Sequence, residues 1–202
     1  MTAKRLLLPM VLLIGACQPP AKPVASATVL DFVVPAFSFT ERSGTMVTNK
    51  ELKGKVWVAS FVFTRCTGPC PQVAATMARL QEELKDSPDV MLVTFTIDPD
   101  RDSLADLKKY ADQYRADPKR WLFLTGPEKE VHEFATKGFK LLAKKSETPK
   151  PGEEFDHSSK LAVVDKSGII RGYFDGMAVN GDTKMLDESL AKLKTMVGEL
   201  SK

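Results

Sequence analysis

Two cysteines four positions apart are the residues best placed to do chemistry in this chain. Cys66 and Cys70 lie in Phe61-Val62-Phe63-Thr64-Arg65-Cys66-Thr67-Gly68-Pro69-Cys70-Pro71. An apolar run precedes them, and Pro71 suits the first turn of a helix. A helix N-terminus offers unpaired backbone N–H groups and the positive end of the helix dipole, which stabilise a thiolate and lower its pKa. Thiolate is the form that attacks a disulfide and also the form that holds a metal. Three intervening residues make a wider loop than the two-residue loop of ordinary dithiol oxidoreductases, giving both sulfurs freedom to converge on one ion without forbidding a disulfide. A purely structural disulfide is a poor explanation, because so short a loop adds little stability when closed. A metal held by two thiolates on one loop needs a third ligand from elsewhere, and the chain has only two histidines. His132, among Lys129, Glu130 and Glu133, reads as an exposed residue of a polar helix. His157 lies in Phe155-Asp156-His157-Ser158-Ser159, a loop just ahead of an apolar strand. Residue types alone leave disulfide exchange and metal binding both open.

The elements that must position these side chains follow from periodicity. Phe37 to Thr40, a turn at Gly44 and Met46 to Thr48 predict an N-terminal hairpin. Lys55 to Phe63 and Val90 to Ile97 are apolar runs of the kind buried on both faces of a sheet. Between them, Val73, Met77, Leu80 and Leu84 mark one face of a helix. Asp102 or Ser103 caps a helix with Leu104, Leu107, Ala111 and Tyr114 inward. Trp121 to Leu124 is a short strand and Glu128 to Lys137 a short helix. Residues 144 to 154, polar and proline-bearing, read as a mobile loop. Leu161 to Val164 and Ile169 to Tyr173 form a hairpin turning at Lys166-Ser167-Gly168, and a last helix carries Leu186, Leu190, Leu193, Val197 and Leu200. Strands alternating with helices predict an α/β domain with a central sheet covered on both sides. Met77 and Met185 fall at core spacing, Met177 alone lies in a turn, and Trp57 and Trp121 read as core.

The N-terminus predicts export. Lys4 and Arg5, an apolar run from Leu6 to Ile14 and Gly15-Ala16-Cys17 have the layout of a secretory signal. At about 1.5 Å per residue the run is too short to span a hydrocarbon core of roughly 30 Å. Ile14-Gly15-Ala16-Cys17 resembles the bacterial lipobox, which implies residues 1–16 as a signal peptide, cleavage before Cys17 and lipidation of that cysteine. Several acyl chains on one residue anchor a soluble domain, whereas one chain binds only marginally. Residues 17–31, rich in Pro, Ala and Ser, then form a lipidated tether to a domain at 32–202. The expected location is the cell envelope, facing the periplasm or the exterior; Gln18 in place of aspartate leans towards an outer membrane where a cell has two. With Cys17 lipidated, the third of three cysteines is accounted for and Cys66 and Cys70 remain as a pair. The 29 basic and 26 acidic residues are nearly balanced and form no basic stripe, so nucleic-acid binding has no support.

Several motifs together carry a family resemblance. The Phe-x-Phe-Thr-x-Cys-x-x-x-Cys-Pro run at 61–71 is one. Thr96-Ile97-Asp98-Pro99-Asp100-Arg101-Asp102, followed by Tyr110 and Trp121 to Gly126, is another. The third is Asp156-His157-Ser158, followed by Val163-Val164-Asp165 and Gly168. In this order and spacing they resemble the Sco/SenC family of copper-binding thioredoxin-like proteins, over about residues 32–200. The resemblance implies a thioredoxin-like fold, a central mixed sheet flanked by helices with an N-terminal hairpin. It also implies that the histidine loop faces the cysteines, so that Cys66, Cys70 and His157 bind copper. Two soft thiolates and an imidazole suit Cu(I) and can hold Cu(II). Asp98 and Asp156 are then candidates to orient the histidine or tune the charge of the site. Thr67-Gly68-Pro69 departs from the family in lacking the acidic or bulky residue often found there. The implied function is a monomeric copper chaperone. It would deliver copper to the binuclear site of a membrane-bound cytochrome c oxidase subunit, or ready that site's cysteines. The rivals are a membrane-tethered thiol–disulfide oxidoreductase acting through Cys66 and Cys70 on another exported thiol protein, and a copper or redox sensor.

Overall fold

The computed structural model describes residues 32–202; the expected signal peptide (1–16), the expected tether (17–31) and Cys17 lie outside the described residues. Eight strands form one mixed sheet in the order β1-β10-β9-β4-β5-β6-β2-β3. Its centre is β4 (Val56–Val62) beside β5 (Val90–Thr96), paired in parallel, with every residue of both strands buried. Continuous Val, Phe and Leu runs produce this double burial, since a sheet covered on both faces has no solvent side for alternation to serve. On one side β5 pairs in parallel with β6 (Trp121–Thr125), which leads to the N-terminal hairpin β2 (Ser38–Glu41) and β3 (Met46–Thr48). On the other side β9 (Lys160–Val164) runs antiparallel to β4 and to β10 (Ile169–Asp175), and β1 (Phe32–Val33) closes the edge. Among the described residues five α-helices accompany the sheet: α1 (Asn49–Leu52), α2 (Cys70–Glu83), α3 (Leu104–Gln113), α4 (Glu128–Glu133) and α5 (Thr183–Leu200). The fold is the expected α/β, thioredoxin-like arrangement. No helix among the described residues is long and apolar enough to cross a membrane.

Phe61, Phe95, Phe134 and Phe139 make an aromatic cluster on the sheet, with Phe61 and Phe95 stacked at 5.1 Å and Phe95 to Phe134 at 5.2 Å. Offset and edge arrangements of this kind add about 0.5–1.5 kcal/mol per pair beyond area burial. Buried polar groups in the strands are satisfied locally. Thr94 Oγ1 accepts from Trp121 Nε1 at 2.8 Å and shares a hydrogen with Ser60 Oγ, also at 2.8 Å.

Four expectations need correction. Helix 128–137 breaks into α4 and a π-helical turn, Phe134–Gly138, which delivers Phe134 and Phe139 to the core. His132 is not a free surface residue, because its Nε2 lies 2.7 Å from the Ile97 carbonyl and its ring packs edge-on against Phe155. Met185 is 55% exposed and contributes nothing to the core, whereas Met77 is buried. Residues 144–154 are a loop only in part: Lys144 and Lys145 belong to β7 (Ala143–Lys145), and 146–154 join it to β8 (Phe155–His157), with which it pairs antiparallel.

Candidate metal centre

The cysteine segment follows directly from the end of β4 and is held from below. Thr64 donates its backbone N–H and its hydroxyl to the Asp102 carboxylate at 3.0 and 2.6 Å, and the Thr96 hydroxyl donates to the same group. Cys66 N–H then donates to Phe63 O at 3.2 Å, turning the chain so that Cys70 opens α2. Pro71 in the first turn costs no hydrogen bond there. Cys70 is fully buried, Cys66 is 8% exposed, and both are free thiols. The Tyr110 and Tyr114 hydroxyls donate to the carbonyls of Cys70 and Pro71, at 3.3 and 3.4 Å.

The histidine arrives from the other direction, as the last residue of β8 and in register with Ala143. Its Nε2 is 3.3 Å from Cys70 Sγ, its Nδ1 is 3.2 Å from Ser158 O, and the Phe63 ring meets it edge-on at 5.7 Å. A hydrogen on Nδ1 donated to that carbonyl leaves the Nε2 lone pair facing the sulfurs, the tautomer able to ligate. The hairpin is tied to the cysteine loop by Thr67 N–H donating to Gly152 O at 3.1 Å. Gly152 has φ +82, and a Cβ there would collide with the Thr67 side chain, so only glycine allows this approach.

The two thiols have opposite electrostatics. Cys66 is lowered to about 4, chiefly by the hydrogen bond from Cys70, with help from His157 and from the backbone N–H groups of Cys70 and Gly68. Burial opposes that shift without cancelling it. Cys70 is pushed up, first by burial, then by the neighbouring Cys66 and by the negative charge of Asp102. The first proton therefore leaves Cys66, and Cys70 holds its own until something replaces it.

The Cys66 and Cys70 sulfurs and one His157 nitrogen all lie within 4.8 Å of one another, and no other such group occurs among the described residues. Ligand atoms about 2.0–2.3 Å from a shared ion stand roughly 3.5–4.6 Å apart, so one small ion fits with little movement. Two sulfurs and an imidazole form a soft donor set. The cleft beside them, of about 460 Å³, is lined by Phe63, Cys66, Pro69, Leu142, Phe155 and His157, and Leu142 is half exposed at its rim.

Asp98 is buried and pairs with Arg101 at 2.6 Å; Asp156 is half-buried, 3.8 Å from Lys144. Asp102, considered in the sequence only as a helix cap, is instead the carboxylate beneath the cysteine loop, and Ser103 caps α3. Burial pushes its pKa up against the hydroxyl bonds that stabilise its charge. The only sequence signal for that role was its place in the Asp-Pro-x-Arg-Asp run.

Comparison with known proteins agrees with this geometry. The SCO1/SenC family pattern matches residues 26–195. A SCO1 protein homolog from Bacillus subtilis (strain 168) is 37% identical over 150 residues, 73% of this chain and 76% of the relative. The solved structure of BsSco is described as that of a member of the Sco family of cytochrome c oxidase assembly proteins, with a disulfide switch. It matches with a TM-score of 0.68 at 32% identity, covering 83% of this chain and 95% of its own. ScoI from Bradyrhizobium japonicum, solved with copper bound, gives 0.65 at 26% identity over 81% and 98%.

Proposed function

We propose, from the premise that this chain belongs to the SCO1/SenC family, that Cys66, Cys70 and His157 together bind one copper ion as cargo. The observation that carries this reading is the convergence of two sulfurs and one imidazole nitrogen within 4.8 Å, from segments about ninety positions apart. Copper suits the donor set because thiolates favour the soft Cu(I) ion and imidazole tolerates Cu(II). The ScoI relative solved with copper bound supports the choice of metal.

The chain's own residues then suit transfer. Cys66 presents a thiolate at neutral pH, Cys70 yields its proton on binding, and His157 supplies an imidazole nitrogen beside an open cleft. Three ligands at a cleft mouth can be displaced one at a time by an incoming thiolate, which a closed four-ligand site resists. The recipient we infer is the binuclear copper site of a cytochrome c oxidase subunit, in keeping with the assembly role given for BsSco. Copper titration of the reduced chain against a chromophoric Cu(I) chelator tests the ligand set. His157→Ala should weaken copper binding about 10-fold or more, while Cys66 and Cys70 still oxidise to a disulfide. Equal affinity in parent and variant would remove His157 from the site.

The asymmetry of the two thiols favours a second reading, a thiol–disulfide reductase. Cys66 thiolate would attack a target disulfide and release one target thiolate; Cys70 would then resolve the mixed disulfide, leaving Cys66–Cys70 oxidised and the target reduced. His157 separates the readings, since this exchange does not require it. For location, we infer lipid anchoring at Cys17 from the lipobox-like residues 14–17. Cys17→Ser should release the protein from the membrane fraction, and an unchanged distribution would refute the anchor.

A further inference from the structure

The turn between β5 and α3 joins the two segments that carry the ligands. Arg101 and Asp102 N–H groups both donate to Asp98 O, at 3.1 and 2.9 Å, folding the turn on itself. From it Asp102 reaches the cysteine loop through Thr64, and Arg65, beside Cys66, donates to Arg101 O at 3.4 Å. Arg101 reaches the opposite way. Its guanidinium bridges Asp98 at 2.6 Å and Glu154 at 2.8 Å, and Glu154 lies three residues before His157. Asp98 is buried, so its charge requires a partner, and that need fixes the arginine in place. Nε and Nη2 both reach Asp98 Oδ2 while Nη1 reaches Glu154 Oε1, so the planar guanidinium sets direction as well as distance.

Polar anchors tie the histidine hairpin to the site from two directions. One is the bond from Thr67 N–H to Gly152 O. Another is the Arg101–Glu154 pair, two residues further along. The Lys145–Glu128 pair and the packing of Phe155 on Phe63 hold the hairpin as well. Of these contacts the Arg101–Glu154 pair is the one that links the segment leading into β8 to the β5–α3 turn.

We propose that Arg101 is a positioning residue for the metal centre: pinned by Asp98, it holds Glu154 and thereby sets where β8 presents His157 to Cys66 and Cys70. This rests on the copper reading above. It also gives the Asp98-Pro99-Asp100-Arg101-Asp102 run a shared task, with Asp102 placing the thiols and Arg101 placing the imidazole.

The test measures Cu(I) affinity by chelator competition, and the sulfur-to-Cu(II) charge-transfer band, for the full chain and its variants. Partners hydrogen-bonded to a metal ligand typically change affinity 10–100-fold when removed, and Arg101, acting through Glu154, is expected at the low end of that range. Arg101→Ala and Glu154→Ala should each weaken Cu(I) binding by about 10-fold and shift the charge-transfer band. Arg101→Lys should recover part of the loss, and the double alanine variant should be no weaker than Arg101→Ala alone. If Arg101→Ala does not fold, Glu154→Ala decides, because it leaves the buried Asp98–Arg101 pair intact. Affinity within twofold of the parent and an unchanged band in Glu154→Ala, with His157→Ala weakened, would overturn the proposal and leave the copper centre standing. Parent-like binding by His157→Ala would overturn both.

Discussion

Cys66 and Cys70 share a loop and a chemistry but face different surroundings, and their division of labour comes from that difference. Cys66 receives hydrogen bonds from the Cys70 thiol and from N–H groups at the start of α2, whereas Cys70 is sealed beneath it and feels Asp102. In the reduced, metal-free chain the absorbance of thiolate at 240 nm should therefore rise from one sulfur only, with a midpoint well below the ordinary cysteine value. Removing the imidazole in His157→Ala should move that midpoint upward. A single midpoint near 8.5, the ordinary value for cysteine, would contradict the assignment. Because Cys66 is lowered in the folded chain, its contribution to stability is full above about pH 8.5 and is lost as the pH falls through its lower folded-state value. At this scale the cysteine pair was legible because type, spacing and the following proline are local facts. Asp102 was not, since its bond to Thr64 spans 38 positions and a carboxylate ahead of a helix looks like a cap.

The long elements and the N-terminal hairpin at Gly44 were legible, and the β7–β8 hairpin was not. β4 and β5 announce themselves through seven consecutive buried residues each, and the faces of α2 and α5 through apolar spacing. β7 and β8 have three residues each, four of the six charged or polar, which is too little for either periodicity to register. What stabilises that hairpin is pairing to itself and to the cysteine loop, so its order is a tertiary property. His132 was misjudged for a related reason: the polar residues around it say nothing of the Ile97 carbonyl it reaches. The hairpin gives the element its own prediction. Gly152→Ala should lower folding stability by about 1–3 kcal/mol, combining a strained backbone with a collision against Thr67. Adding Thr67→Gly should restore part of it. Urea unfolding of the reduced chain measures both, and an unchanged midpoint in Gly152→Ala would mean the two segments do not approach so closely.

Seen whole, the molecule places a soft three-donor site at the carboxyl ends of two parallel strands, where open α/β sheets place their ligands. One rim comes from the β4–α2 loop and the other from the β7–β8 hairpin, with the β5–α3 turn bridging them. The sheet supplies rigidity and the loops supply chemistry, a division common to α/β domains. Membership in the SCO1/SenC family accounts for this arrangement, and the proposed copper transfer depends on all three donors meeting one ion. X-ray absorption at the copper edge of the reduced, Cu(I)-loaded chain tests that claim most directly. One copper per chain with two sulfurs and one imidazole nitrogen in its first shell is the predicted result, the nitrogen vanishing in His157→Ala. A shell of sulfur alone, identical in parent and variant, would contradict it.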